Sequence, residues 1–162
     1  MRTLQNQNAV SYFLEEIFPL IKKENKDAEF HIVGAEPPKY ILDKANSDNV
    51  YVTGFVDSVE EYIKDSCVLV APVRIAAGIQ NKVLIGMACK IPVILTSLIS
   101  KAIPELIDDK NCYIKDSAEE FAEKCILLMN NKEKRKEIAE AGYDIMKDYY
   151  SWNSLLEGYE IL

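Results

Sequence analysis

The residue types best suited to chemistry lie close together in the chain. Arg74, the small-residue run Ala76-Ala77-Gly78 and Lys82 fall in one stretch. Small residues let a backbone come close to a ligand, and the N–H groups at the start of a following helix, with the helix dipole, suit a phosphate. Arg74 in the loop and Lys82 in the first helical turn add two cations beside it. The alternative is a packed turn carrying two surface cations.

The segment from Ala71 to Val93 reads strand, small-residue loop, a helix from about Ile79 to Cys89, then strand. At about 100° per residue, Val83, Leu84, Met87 and Ala88 share the face expected to rest on a sheet, while Gly78, Lys82 and Ile85 share the other. On either side, strands and helices alternate. The first helix, capped by Asn6 or Asn8, carries Val10, Phe13, Leu14, Ile17 and Ile21. Strands are expected at Glu29–Val33, Asn49–Thr53, Cys67–Ala71, Pro92–Thr96 and Asn111–Lys115. Pro37-Pro38 opens a short helix with Tyr40, Ile41 and Ala45 on one side. Asp57 with Glu60, and Ser117 with Glu120, resemble capping boxes, and a short helix is expected at Ile103–Ile107. This alternation implies a Rossmann-like three-layer α/β sandwich with a mostly parallel sheet. Its ligand crevice should lie beyond the strand carboxyl ends. The chain enters a helix almost at once, so it reads as a sheet without its leading strand. No linker or repeat interrupts it, and residues 1–162 are expected to form one domain.

Composition narrows the function. The chain has 162 residues, 49% of them hydrophobic, and a net charge of −7. That balance argues against sequence-independent nucleic-acid binding, which needs a basic footprint. It leaves room for a small anion held by local cations. Cys67, Cys89, Cys112 and Cys125 form no CxxC pair and His31 is the one histidine, so no metal site is expected. The thiols read as buried and reduced, in a cytoplasmic protein. His31, between Phe30 and Ile32, reads as a structural histidine. No GxSxG elbow supports a hydrolase. The run Lys132–Glu137 reads as a solvated helix face, with peripheral contact to anionic lipid as the sharper alternative.

The order of these motifs resembles the C-terminal, donor-binding half of a family 4 glycosyltransferase of GT-B fold, of the bacterial polysaccharide-biosynthesis type. The family motif Pro-x-Arg-x-Gly-x-Gly-Ile-x-x-Lys-Val-Leu-Glu-Ala-Met-Ala stands here as Pro72-Val-Arg74-Ile-Ala76-Ala-Gly78-Ile-Gln-Asn-Lys82-Val-Leu-Ile85-Gly86-Met87-Ala88. His31-Ile-Val-Gly34, Val52-Thr-Gly54-Phe55-Val56, Pro92-Val93, Pro104-Glu-Leu-Ile107 and Tyr150-Ser151-Trp152 extend the match.

The resemblance implies a UDP- or GDP-type sugar donor, no metal or other cofactor, and an acceptor held by an N-terminal domain absent from this chain. It implies that Arg74 and Lys82 neutralise the diphosphate, that Gly78 and Ile79 hold phosphate oxygens, and that Gly54 and Phe55 face the base. Glu105 falls near the donor sugar or ribose. Residues 150–162 correspond to a helix that crosses to the other domain. One departure stands out: Ile85 replaces a Glu that binds ribose in the family pattern. Ala77 replaces a second Glu, and Ala76 and Lys90 replace glycines. An isolated domain would be inactive. The alternatives are a degenerate, non-catalytic nucleotide-binding or interaction domain, and a GT-B sugar-nucleotide epimerase.

Overall fold

The computed structural model describes residues 3–44, 49–75 and 78–150. The chain opens with helix α1 (Leu4–Tyr12), a widened π turn (Phe13–Ile17) and α2 (Phe18–Glu24). Together they form one long helical segment. Pro19, at the start of α2, has no N–H to donate, and the widened turn ahead of it accommodates that gap. The wider turn also changes which residues face inward. Tyr12, Phe13, Ile17, Phe18 and Ile21 are buried, whereas Val10 and Leu14 are only half-buried. Thr3, not Asn6 or Asn8, occupies the cap position, and its side chain makes no capping bond.

Five short strands follow in two parallel groups. Strand β1 (Phe30–Val33) pairs with β2 (Val50–Gly54), and β3 (Leu69–Ala71) pairs with β4 (Val93–Leu95), which pairs with β5 (Tyr113–Ile114). All of β4 is buried, as a strand covered on both faces should be. Helices α3 (Lys39–Leu42) and α4 (Val59–Ile63) lie between β1 and β3, and α5 (Asn81–Ala88) links β3 to β4. Helix α6 (Ser97–Ser100) follows β4, and α7 (Ala118–Asn130) and α8 (Lys132–Tyr149) follow β5. The expected parallel α/β sandwich is therefore present. Among the described residues, no helix is long and apolar enough to cross a membrane.

Local differences from the sequence reading have simple causes. The cap of α4 is Ser58 rather than Asp57, with Ser58 Oγ accepting from the Glu61 amide at 3.1 Å. The Ser117 box is as expected: the Glu120 amide donates to Ser117 Oγ, whose hydroxyl donates to the Glu120 carboxylate. On α5, Val83, Gly86 and Met87 are buried, while Ala88 is exposed. Gly86 takes the place of Ala88 because α5 lies tightly on β3 and β4; a Cβ there would stand 3.0 Å from Leu69 Cδ1 and 3.2 Å from Val93 Cγ2. Cys112 and Cys125 are buried, but Cys67 is exposed because β3 begins only at Leu69. The expected helix at Ile103–Ile107 is a set of turns, and the helix in that region is α6. His31 is satisfied, though at the surface: its ring lies 3.1 Å from the Tyr62 hydroxyl and 3.0 Å from Glu29 Oε2, and stacks 4.8 Å from Tyr51. Ala45, Trp152 and most of the segment 150–162 lie outside the described residues.

One buried hydrogen bond fixes the loop after β3. Thr96 Oγ1, at the end of β4, donates to the Val73 carbonyl at 2.6 Å. Both residues are buried. Thr96→Val keeps the shape and leaves that carbonyl without its donor, so chemical denaturation should show a loss of about 1–3 kcal/mol with an unchanged slope.

Candidate functional site

The candidate residues sit in loops beyond strand carboxyl ends. Gly54 ends β2 and Phe55 follows it, Arg74 follows β3, and Glu105 follows β4 and α6. Gly54 has φ +70° and Gly78 φ +79°, and an added Cβ would meet nothing within 4 Å at either. Both glycines therefore supply left-handed backbone next to open space. Phe55 is 76% exposed, so an aromatic face is available there.

Helix α5 starts later than the sequence suggests. Gly78 is left-handed and Gln80 is an extended cap, so the first helical residue is Asn81 rather than Ile79. Gly78 and Ile79 thus belong to the loop ahead of the helix, and Lys82 remains in the first turn. Residues 76 and 77 lie outside the described set.

Lys82 has an unusual environment for a lysine. It is half-buried, and its Nζ donates to Asn6 Oδ1 of α1 at 2.6 Å. Among the described residues it has no carboxylate partner, and burial pushes its ammonium below the usual lysine range. Arg74 is more exposed. Its guanidinium lies 3.8 Å from the centre of the Tyr12 ring, and its Nη1 is 3.7 Å from Glu16 Oε1. Burial, then the charge of Glu16, raise the Tyr12 hydroxyl above its usual range.

Both cations are thus held by the same helical segment, on different turns. Asn6 and Tyr12 are separated by about 9 Å of helical rise. A cavity of about 710 Å³ is lined by Asn6 and Lys82 and does not include Arg74. The remaining candidates are tied elsewhere. The Tyr150 hydroxyl, at the end of α8, donates to Glu105 Oε2 at 2.7 Å, and Asn111 Nδ2 donates to the Glu105 carbonyl at 2.9 Å. Burial, then the bond to Glu105, raise the Tyr150 hydroxyl. Ile85 is half-buried on α5. The sequence did not mark Asn6, Tyr12, Glu16 or Tyr150 as partners of these groups, because they come from distant segments.

With this geometry in place, likeness to known proteins is informative. A family model described as "Glycosyl transferases group 1" matches residues 1–131. The chain belongs to that family, and its fold is that of the Rossmann-like C-terminal lobe of GT-B glycosyltransferases. It is similar to the C-terminal domain of a glycosyl transferase group 1 family protein (LpcC) from Francisella tularensis, with TM-score 0.69 and 20% identity over 94% of this chain and 83% of that one. It is also similar to TarM, with TM-score 0.80 and 23% identity over 98% of this chain and 32% of that one. A TarM mutant from S. aureus, solved with Fondaparinux, alpha-GlcNAc-glycerol and UDP, gives TM-score 0.79 and 24% identity over 92% of this chain and 31% of that one. The chain thus spans about a third of TarM. No curated protein matches the sequence.

The state of Lys82 yields a prediction. A lysine whose ammonium is depressed by burial carries a folding penalty at neutral pH, which fades as pH rises through the folded pKa towards the ordinary 10.5. Lys82→Met should therefore raise the melting temperature at pH 7, and the gain over the parent chain should shrink as the pH approaches 10.5. Thermal unfolding across that pH range checks both signs.

Proposed function

We propose that this chain is the donor-binding lobe of a family 4 glycosyltransferase of the bacterial polysaccharide-biosynthesis type. In this reading it binds a UDP- or GDP-type hexose donor in the cytoplasm, and an N-terminal domain outside this chain holds the acceptor. The observation that carries the reading is Lys82: a half-buried ammonium, paired among the described residues with a neutral amide and no carboxylate, in the first turn of a helix that follows a left-handed glycine. A dehydrated cation without a counter-charge is costly to fold and well prepared for an anion.

The chemistry follows from charge. As the glycosidic bond to the donor breaks, the leaving nucleoside diphosphate gains negative charge, and fixed cations stabilise it without having to reorganise. Lys82 would exchange Asn6 Oδ1 for a phosphate oxygen, and Arg74 would exchange its exposed contact with Glu16. The Gly78 and Ile79 amides add donors beside the helix start. Gly54 and Phe55 face the base, and Glu105, already held by Tyr150 and Asn111, lies towards the sugar. No metal is assigned a role. The full enzyme would retain anomeric configuration and touch the membrane peripherally, and the lobe alone would not turn over.

Titration of UDP and GDP into the chain, followed by amide NMR, tests the reading. Millimolar nucleotide should shift Gly78, Ile79 and Lys82, and Lys82→Ala should abolish the shifts. An unchanged spectrum for both nucleotides would overturn the reading and favour a non-catalytic interaction domain.

Ile85 gives an independent check on helix alignment. If the family arrangement holds, Ile85→Glu restores an acceptor for ribose hydroxyls, and affinity should rise by about 1 kcal/mol, roughly fivefold. Equal or weaker binding by calorimetry would place α5 out of register with the family motif.

A further inference from the structure

The one histidine of the chain belongs to a linked trio away from the candidate crevice. His31 is the second residue of β1, near its amino end, whereas the crevice lies beyond the strand carboxyl ends. Its Nε2 is 3.0 Å from Glu29 Oε2, and its Nδ1 is 3.1 Å from the Tyr62 hydroxyl of α4. These partners assign the protons of the neutral ring. A carboxylate oxygen only accepts, so Nε2 carries the hydrogen and donates to Glu29. Nδ1 is then an acceptor, and the Tyr62 hydroxyl donates to it. Tyr51 of β2 stacks on the ring, with centroids 4.8 Å and planes 26° apart, and holds it from a third side.

The order hydroxyl, imidazole, carboxylate is the one that activates a weak oxygen nucleophile. The base is within hydrogen-bond reach of the hydroxyl, and a third group orients the base. The trio is also open to a reagent. Tyr62 is 40% exposed, and His31 and Glu29 are exposed. Charge then selects the class of reagent. Glu29 sits beside the ring, α4 carries Glu60 and Glu61, and Asp57 and Asp65 flank that helix. Lys64, at the end of α4, is already bound to Glu61 at 2.7 Å. Such surroundings repel an anionic phosphoryl donor and admit a neutral acyl ester.

We propose that Tyr62 is an acyl-acceptor site, with its phenolic oxygen as the nucleophile, His31 as its base and Glu29 as the positioning residue for His31. The reagent is a neutral activated acyl ester. As the phenolic oxygen bonds to the acyl carbon, its proton passes to His31 Nδ1. The bond from that carbon to the ester oxygen breaks, and the leaving oxygen takes the proton from the imidazolium. Tyr62 is left as an O-acyl ester and His31 is neutral again. Glu29 steadies the imidazolium while it lasts. The inference does not rest on nucleotide binding.

Treatment of the full chain with p-nitrophenyl acetate, with acetylated residues mapped by mass spectrometry, is the test. Tyr40 and Tyr149 are internal standards, because they are 46% and 53% exposed, more than Tyr62. Exposure alone would make Tyr62 the slowest of the three. Tyr62 should instead be acetylated about tenfold faster than either. This comparison needs no variant. His31→Gln should bring Tyr62 down to the rate of the standards. Glu29→Gln keeps an acceptor for Nε2 and removes the charge, so the rate should fall about threefold or more with an unchanged melting temperature. Equal or slower acetylation of Tyr62 would overturn the proposal, and so would a fast rate that survives either substitution. Tyr62→Phe should remove the rapid phase of p-nitrophenol release. If that phase persists, His31 itself takes the acetyl group and Tyr62 is not the acceptor.

Discussion

The helical segment Leu4–Glu24 is the constraint on which the rest of the structure depends. Parallel strands cannot pair through a tight hairpin, so each must be carried to its neighbour by a crossover and held there by helices. Here that burden is unusually concentrated. Phe13 lies 4.2 Å from Phe30 of β1 and 6.5 Å from Phe121 of α7, and Phe18 lies 5.9 Å from Phe30. The same segment contributes Tyr12, Ile17 and Ile21 to the core that joins β1 and β2 to β4 and β5, and Ala9 to the core between β3, β4 and α5. The widened turn at Phe13–Ile17 lets one chain segment serve both cores despite Pro19.

The polar residues of that segment then decide how the cations are presented. Asn6 offers Lys82 a carbonyl oxygen, enough to satisfy one donor and too little to neutralise the charge. Glu16 meets Arg74 at 3.7 Å in an exposed position, where an ion pair is worth little and gives way readily. Tyr12 holds the guanidinium plane by stacking without removing its charge. Lys82 owes its position to packing as well: α5 sits close to the sheet because residue 86 has no side chain to press against Leu69 and Val93. A larger residue at 86 would lift the helix and move the ammonium with it.

How much of this was legible in the sequence depended on whether the signal was local. The Ser117–Glu120 box, the apolar run of β4 and the helix that carries Lys82 are local patterns, and the structure keeps the elements they imply. The stripe on α5 was misread at its end, because periodicity alone treats Gly86 as a non-contributor, whereas its lack of a side chain is what brings the helix close to the sheet. The π turn was hidden because a change of phase within an apolar helix still looks helical. Exposure of Cys67 was hidden because an apolar neighbourhood suggested a longer strand than β3 provides. The partners of Lys82 and Arg74 were illegible in principle: Asn6 lies 76 residues away in sequence, and no spacing rule connects them.

Lys82 also joins the two open regions of the fold. It lines the end of the cavity between β1 and β3, and it stands at the start of α5 beyond the end of β3. There it is half-buried, so water screens its charge less than that of an exposed lysine. Under those conditions an ammonium held only by an amide oxygen attracts an anion more strongly, since the same charge is screened less. Burial pushes that ammonium below the usual lysine range, a cost that a bound anion would offset. The contact with Asn6 that takes water from Lys82 therefore also bears on how strongly it can hold an anion.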